Sequence, residues 1–184
     1  MFRLNGVLGA LLLGAVVAGG CSSMQISSDY DPSVDFSRLQ SYGWMPDSRP
    51  DTGNPRLDSS LLDARVRRAV DTQLAARGYS KISPDEADFL VSYHAGLESK
   101  LDVDTFYDSY GYGWGRGYGP MMYDTVVREY EQGTLLLDFV DPKTRNLFWR
   151  GSASAEITTG GTPEKRQERV DKAVARMLER FPPR

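Results

Sequence analysis

Apolar and polar residues alternate over a long stretch that begins at Phe89. The odd positions continue through Val91, Tyr93 and later apolar residues, whereas the even positions are mostly polar as far as Asp104. A period of two predicts a β-strand with one buried face and one solvated face. His94, the only histidine of the chain, falls on the solvated face of this predicted strand.

Two further strands are predicted at Leu135 to Val140 and Leu147 to Ala155, joined by a turn over residues 141–146. Phe139 and Trp149 lie on the odd-numbered faces of these strands and are expected in the core. The same faces carry Leu135, Leu137 and Leu147. Residues 29–46 combine turn residues with apolar anchors, and this pattern predicts one or two short strands near the start of the domain.

Two segments instead show the helical period. The first apolar stripe is Leu62, Val66, Ala69, Val70 and Leu74, and Gly78 supplies a left-handed end. Ser60 and Asp63 have the spacing of a capping box. The arginines at 65, 67 and 68 are interpreted as the solvated face of this helix, balanced by Asp63 and Asp71.

The second helix is predicted to begin after Thr162, with Pro163 at its first position. Its two polar first turns are expected to project beyond the core, and its apolar stripe is Val170, Ala173, Val174, Met177, Leu178 and Phe181. The pattern therefore predicts an α+β fold, with an antiparallel sheet of about four to six strands and two helices packed on one face.

The N-terminus has the layout of a secretory signal peptide over residues 1–20. Arg3 precedes a run from Val7 to Gly20 that contains only Val, Leu, Ala and Gly, and this run is shorter than a bilayer span. Small residues then precede Cys21, as in a bacterial lipobox, although Ala18 stands where such boxes usually carry Leu. We expect Cys21 to be acylated with fatty acids such as palmitate; the alternative is an ordinary signal peptide with a stray cysteine.

The rest of the chain is expected to form a short tether and one domain. Residues 21–28 are the lipidated cysteine and a polar tether, and residues 29–184 form a single domain with a Tyr/Gly-rich insertion at 105–123. Ser22 is not Asp, which favours the outer membrane, with the domain facing the periplasm. The formal net charge of −3 argues against nucleic acid as a partner, because nucleic-acid binding calls for a clustered basic face.

Several segments resemble the bacterial lipoproteins of the domain-of-unknown-function 4136 family. The resemblance rests on Asp29-Tyr30-Asp31 with Phe36, Tyr42 and Trp44, on DEADFLVSYH (85–94), on GTLLLDFVDPKTRNLFWRGSA (133–153), and on the terminal RMLERFPP. It implies a lipid-anchored α+β domain that faces the periplasm. It implies no catalytic or ligand-binding residues.

The sequence shows no complete set of catalytic or metal-binding residues. For a hydrolytic triad, His94 is the only imidazole, Cys21 is committed to acylation, and no serine lies in a Gly-x-Ser-x-Gly motif. A zinc site normally requires several His or Cys ligands, and the chain has one of each. Asp102, Asp104 and Asp108 suggest a calcium loop, but Phe106 occupies the third ligand position. We expect no enzyme activity, metal or cofactor, although a catalytic pair of carboxylates from distant positions stays open.

The Tyr/Gly-rich segment has glycine at every second position from Gly111 to Gly119. Its spacing does not match a phosphate-binding glycine loop. If the backbone is extended, one face carries the candidate contact residues Tyr110, Tyr112, Trp114, Arg116 and Tyr118. This face suits a sugar, a membrane interface or a partner protein; the alternative is a mobile loop whose rings pack on the sheet edge.

Three functions follow from these observations. The leading hypothesis is a non-enzymatic interaction or structural module, held at the membrane by its N-terminal lipid and contacting an envelope protein or glycan. The alternative is a periplasmic binding module for a lipid, glycan or peptide. An envelope hydrolase is the third.

Overall fold

The computed structural model describes residues 24–46, 48, 51–106, 124–157 and 160–183. They form one six-stranded sheet and two helices. In chain order the elements are β1 (Gln25–Tyr30), a short 3-10 helix (Phe36–Arg38), β2 (Ser41–Trp44), α1 (Ser60–Ala76), β3 (Ser80–Lys81), β4 (Phe89–Phe106), β5 (Asp124–Val140), β6 (Leu147–Ile157) and α2 (Pro163–Leu178). The strand order is β1-β6-β5-β4-β2-β3, and α1 and α2 share one core with the sheet. The predicted α+β class is confirmed.

The sheet is mixed rather than wholly antiparallel. β1, β6, β5 and β4 pair antiparallel, as predicted, but β2 pairs parallel with both β4 and β3. The reason lies in α1, which separates β2 from β3 along the chain. A strand, a crossover helix and a second strand place the two strands parallel, so this end of the sheet has the β–α–β arrangement.

β1 begins at Gln25, inside the segment predicted as a tether. Ile26 pairs with Ala153 of β6 and packs against the core. Arg176 of α2 also donates a hydrogen bond from Nη1 to the Met24 carbonyl oxygen at 3.1 Å. Residues 25–28 are therefore part of the sheet, which corrects the predicted tether boundary at Ser28.

α1 buries the predicted stripe, with Val66, Ala69, Val70 and Leu74 at most 2% exposed. Its N-cap is Ser59, whose side-chain oxygen accepts from the Leu61 amide. The capping box predicted from Ser60 and Asp63 is therefore wrong, because the third residue after Ser59 is Leu62. At the other end Gly78 has φ of 90°. The Gly78 amide donates to the Ala75 carbonyl oxygen, and the Tyr79 amide donates to the Leu74 carbonyl oxygen. This arrangement is a Schellman motif, and it confirms the predicted end.

α2 begins after the N-cap Thr162 with Pro163 in its first turn, as predicted. The predicted projection of Glu164 to Arg169 holds for the first turn, since residues 163–166 are exposed. Gln167 is half-buried and accepts a hydrogen bond from Arg68, so the second turn instead contacts α1. The rest of the apolar stripe reaches the sheet, and Ala173, Val174, Met177, Leu178 and Phe181 are buried.

Aromatic rings fill the layer between the helices and the sheet. Phe139 stacks on Trp149 with ring centroids 4.7 Å apart, and Phe181 meets the Phe139 ring edge-on at 4.6 Å. Phe89 lies 4.8 Å from Phe139. Both Phe139 and Trp149 are 0% exposed, so their predicted place in the core is confirmed.

Leu147 departs from the prediction that it shares this buried face. Its side chain is 43% exposed, and Phe148 is buried instead. The pairing of β5 with β6 shifts between Phe139 and Val140, where a bulge sets Val140 opposite Leu147. A bulge changes which side chains face the core, so Leu147 turns to solvent.

β4 and β5 continue as a two-stranded ribbon beyond the rest of the sheet. The last pair between β5 and β6 is Glu131 with Ile157, whereas β4 and β5 stay paired as far as Phe106 with Asp124. We call residues 100–106 and 124–130 the ribbon. At about 3.3 Å per residue, it extends roughly 20 Å past the end of β6.

Candidate functional site

The sheet has one face covered by helices and an opposite face that is largely polar, which we call the open face. The strand register arranges twelve of its residues in three rows across β1, β6, β5 and β4. The rows are Gln25, Ser154, Thr134 and Gly96; then Ser27, Ser152, Leu136 and His94; then Asp29, Arg150, Asp138 and Ser92. Most of these side chains are small and carry a hydroxyl, amide or charged group.

A charged cluster lies in the last of these rows. Arg150 donates from Nε and Nη2 to the two carboxylate oxygens of Asp138, each at 2.6 Å. The Asp138 side chain is only 6% exposed, and these hydrogen bonds hold the pKa of Arg150 above its ordinary value. Two parallel charge-assisted bonds fix the two side chains across β5 and β6.

His94 joins this cluster from β4. Its Nε2 lies 3.4 Å from Oδ2 of Asp138, and its side chain is 58% exposed, which confirms the predicted solvated position. The carboxylate that it faces already accepts two bonds from Arg150. Because the Asp138 carboxylate already forms an ion pair with Arg150, we interpret the cluster as structural. It holds β4, β5 and β6 together.

The hydroxyls of the open face also bond across strands. Thr134 and Ser154 lie opposite each other on β5 and β6, with their side-chain oxygens 2.9 Å apart. Cross-strand hydroxyl pairs of this kind stabilise a sheet without adding bulk. This pair adds two hydroxyl groups to the polar surface of the open face.

A second polar cluster, which the sequence pattern did not predict, lies under α1. Arg67 donates from Nε to Asp63 at 2.9 Å and from Nη2 to Ser48 at 2.9 Å. Its guanidinium also lies 4.4 Å from the centre of the Trp44 ring, and Tyr93 donates its hydroxyl to Asp63 at 3.2 Å. Arg67 is thus half-buried against the sheet, which corrects its assignment to a solvated face.

Asp71 organises the neighbouring contact between α1 and the sheet. Its Oδ1 accepts from the Tyr42 hydroxyl and from Trp44 Nε1, both at 2.9 Å. Its Oδ2 accepts from Lys81 Nζ at 2.8 Å. Burial, and then the hydrogen bond to Asp71, raise the pKa of Tyr42 far above its usual range. The interpretation that Asp71 balances the arginines of α1 is therefore wrong, because Asp71 binds groups of β2 and β3.

Asp88 ties the start of β4 to the start of β2. Its Oδ2 accepts from the amides of Gln40 and Ser41 at 3.0 and 2.9 Å and from the Ser41 hydroxyl at 2.8 Å. These bonds lower the pKa of Asp88, with the Gln40 amide as the largest cause. The acidic groups of these clusters are thus engaged in holding strands and helix together.

The residues singled out from the sequence lie mostly elsewhere. Cys21, Tyr110, Tyr112, Trp114, Arg116, Tyr118 and Asp108 are outside the described residues. Asp102 and Asp104 lie in β4, where the backbone is paired with β5. An extended strand does not have the turning backbone of a calcium loop.

The described ranges show neither a membrane-spanning helix nor a cluster of metal-binding side chains. There, no helix has both the length and the apolar character needed to cross a bilayer. Nor do these ranges hold a group of three or more His, Cys, Asp or Glu side chains placed to bind a metal ion.

Comparison with solved structures finds the same kind of fold. The alignment with a PDZ domain protein from Parabacteroides distasonis covers 86% of this chain at 11% identity, with a TM-score of 0.54. It covers 35% of that protein, so the chain spans about a third of its length. These values show a shared fold and nothing about a shared activity.

Two smaller solved proteins also match. A DUF4136 family protein from Bacteroides thetaiotaomicron is 13% identical over 86% of this chain and 96% of its own, with a TM-score of 0.48. A PelC dodecamer from Paraburkholderia phytofirmans is 10% identical over 84% of this chain and 94% of its own, with a TM-score of 0.45.

Comparison with curated proteins found no match. The family comparison, in contrast, matches almost the whole described domain. The model of the domain of unknown function DUF4136 matches residues 26–183, and the chain belongs to this family.

Proposed function

We propose that this chain is a lipoprotein of the bacterial outer membrane whose domain faces the periplasm and acts by contact, without catalysis. The anchor would be acylated Cys21, after removal of residues 1–20. Three sequence features support the anchor: the short apolar run, the small residues before Cys21 and the absence of Asp at position 22.

The open face is the observation that carries the contact role. It offers a surface four strands wide, whose middle row is Ser27, Ser152, Leu136 and His94. Small hydroxyl side chains let a partner approach closely and exchange hydrogen bonds with it. An envelope protein or a glycan presents the matching donors and acceptors.

The acidic clusters support a non-enzymatic role. The best-buried carboxylates, Asp138 and Asp63, are bonded to Arg150 and to Arg67, and Asp71 is bonded to Tyr42, Trp44 and Lys81. A general acid or base needs access to substrate and a proton that it can exchange. Carboxylates held by arginine and buried ring donors lack that freedom.

The aromatic core favours contact at the surface over an enclosed ligand. Phe89, Phe139, Trp149 and Phe181 occupy the layer between sheet and helices, with neighbouring ring centroids 4.6 to 5.9 Å apart. A binding module for a lipid or peptide would need space in that layer. The rings at Tyr110, Tyr112, Trp114 and Tyr118 remain a proposed second contact element.

Photo-crosslinking in the native bacterium tests the proposed contact face. A photoreactive amino acid is placed at Ser27 or Ser152 on the open face, with Glu168 on the exposed first turns of α2 as the matched control. We expect a discrete adduct with an envelope protein or glycan from the open-face positions. Adducts that are as frequent from position 168 would show that the open face is not the contact surface.

The anchor has a separate test. Mass analysis of the wild-type protein should find fatty acyl groups on Cys21, and Cys21→Ser should leave an unacylated precursor. A mature, unlipidated wild-type protein that begins at another residue would contradict the anchor, whatever the crosslinking result.

A further inference from the structure

The N-terminal strand and the ribbon lie in a fixed relation within the sheet. Gln25 of β1 is in register with Ser154 of β6, which pairs with Thr134 of β5 and through it with Gly96 of β4. β1 runs from this row away from the ribbon, whereas β4 runs from it towards the ribbon. The chain that precedes Gln25 therefore leaves the sheet at the end where the ribbon projects.

The chain between Cys21 and Gln25 is much shorter than the projecting end of β4. Cys21 is four residues before Gln25, so its Cα lies within about 14 Å of that residue even in a fully extended chain. Phe106 is ten residues beyond Gly96, which places the end of the ribbon about 33 Å past the same row. The ribbon thus reaches roughly 20 Å further than the longest possible tether.

One orientation is excluded by these lengths. If the ribbon pointed away from the membrane, the body of the sheet would stand between Gln25 and the lipid. β1 alone is about 17 Å long, which exceeds the reach of the four residues before it. The end of the sheet that bears the ribbon must therefore be near the membrane.

Insertion of the ribbon into the membrane is also unfavourable. Upright strands would push it about 20 Å into the bilayer, and each backbone group left without a hydrogen bond in hydrocarbon costs several kcal/mol. In the described chain, the outer edges of the ribbon pair with no other strand. An inclined sheet, with the ribbon along the membrane surface, avoids both an overstretched tether and insertion of the ribbon into hydrocarbon.

We propose that the ribbon, residues 100–106 and 124–130, lies on the membrane that holds the anchor and contacts its lipid headgroups. This inference rests on the proposed acylation of Cys21. The ribbon sequence contains Asp102, Asp104, Asp124 and Glu129 against Lys100 and Arg128. A surplus of acidic groups is repelled by anionic lipids, so the contact is with zwitterionic headgroups.

Lipid photo-crosslinking tests the proposal. The acylated protein is reconstituted in phosphatidylcholine vesicles that contain a photoreactive phosphatidylcholine, and the adducts are mapped by peptide mass analysis. The internal control is the turn at 141–146, at the opposite end of β5. We expect about tenfold more adducts in the ribbon, since tethering raises the local lipid concentration there. Equal yields in the ribbon and the turn would overturn the proposal.

A second experiment tests the position of the ribbon independently of whether Cys21 is acylated in the cell. Unacylated protein without residues 1–20 is coupled through the Cys21 thiol to a maleimide phospholipid in the same vesicles. Ribbon adducts in this arm support the geometry even if the cellular protein proves unacylated. Turn adducts in place of ribbon adducts overturn it even if acylation is confirmed.

Two controls test whether the short tether and the headgroup charge determine the ribbon's contact with lipid. A Gly/Ser insertion of about 20 residues between Ser23 and Met24 adds a span of about 25 Å, and it should bring the ribbon adducts close to the level of the turn. Replacement of phosphatidylcholine by phosphatidylglycerol should also lower them. Adducts unchanged by the insertion would show that the short tether does not place the ribbon.

Discussion

Arg150 and Asp138 form a two-point ion pair across β5 and β6, with both N···O distances at 2.6 Å. The pair is asymmetric, since the Asp138 side chain is 6% exposed and that of Arg150 is 41% exposed. The carboxylate thus depends on Arg150 for hydrogen bonds that water cannot readily supply. This dependence sets the cost of removing the arginine.

Arg150→Ala should therefore destabilise the fold by about 1–3 kcal/mol, the cost of a buried charged group left without its partner. Urea unfolding measures the loss. Lys100→Ala is the matched control, because it breaks an ion pair with Glu98 whose two side chains are 44% and 69% exposed. The double variant Arg150→Ala with Asp138→Ala should recover part of the loss. Equal losses for Arg150→Ala and Lys100→Ala would show that the ion pair on the open face has no special weight.

Gly151 gives a prediction about packing. A Cβ atom at this position would lie 2.6 Å from Cη2 of Trp149 and 3.1 Å from Cβ of Met177. Gly151→Ala should cost about 1–3 kcal/mol, because the crowded core must shift to admit a methyl group. Thermal and urea unfolding both report this loss.

Gly96→Ala is the control for Gly151→Ala. Gly96 is also a strand glycine, but a Cβ there meets no atom within 4 Å. Its replacement should change stability by less than about 0.5 kcal/mol. If both alanine variants are equally destabilised, the cost belongs to the strand backbone and not to contact with Trp149.

The local periods of the sequence were sufficient to predict the core. The period of two placed Phe139 and Trp149 inward, and the period of 3.6 placed Val174 and Met177 against them. Such patterns arise because each element buries one face. The alternation predicts the wrong face for Leu147. A bulge shifts the pairing between Phe139 and Val140, and the sequence pattern does not reveal this shift.

The missed features depend on contacts between distant parts of the chain. Arg67 lies inward because Trp44 and Ser48 meet it from another segment. Its i, i+4 spacing from Asp63 predicts only an ion pair on a helix surface. The parallel pairing of β2 likewise follows from the path of the chain around α1. The open face could be outlined by alternation, but its rows required the strand register.

Asp88 gives a prediction about pH. Hydrogen bonds from the Gln40 amide and from Ser41 hold the pKa of Asp88 below its ordinary value of 3.8. Because the pKa is lower in the folded state, the ionised carboxylate contributes stability above pH 3.8. That contribution is lost as the pH falls through the lowered pKa of the folded state.

Asp88→Asn should lower the free energy of unfolding by about 1 kcal/mol near neutral pH, a value kept small by the exposure of this carboxylate. Its difference from the wild type should shrink once the pH falls below 3.8. Urea titrations of both proteins over an acid series measure this convergence. A difference that stays constant through the acid range would show that the carboxylate charge is not what binds β4 to β2.

The last prediction concerns the Tyr/Gly-rich segment, whose rings exceed what a solvated linker requires. We expect Tyr110, Tyr112, Trp114 and Tyr118, changed together to Ser, to leave the free energy of unfolding within about 0.5 kcal/mol of the wild type. The core of the described residues is formed by other aromatic rings, including Phe139. The reference variant Phe139→Ala should therefore lower the free energy of unfolding by about 3–5 kcal/mol. The same quadruple variant should lose crosslinked capture of the envelope partner, because exposed aromatic rings are retained at contact surfaces. A large loss of stability in the quadruple variant would place these rings in the core and end their assignment as a contact element.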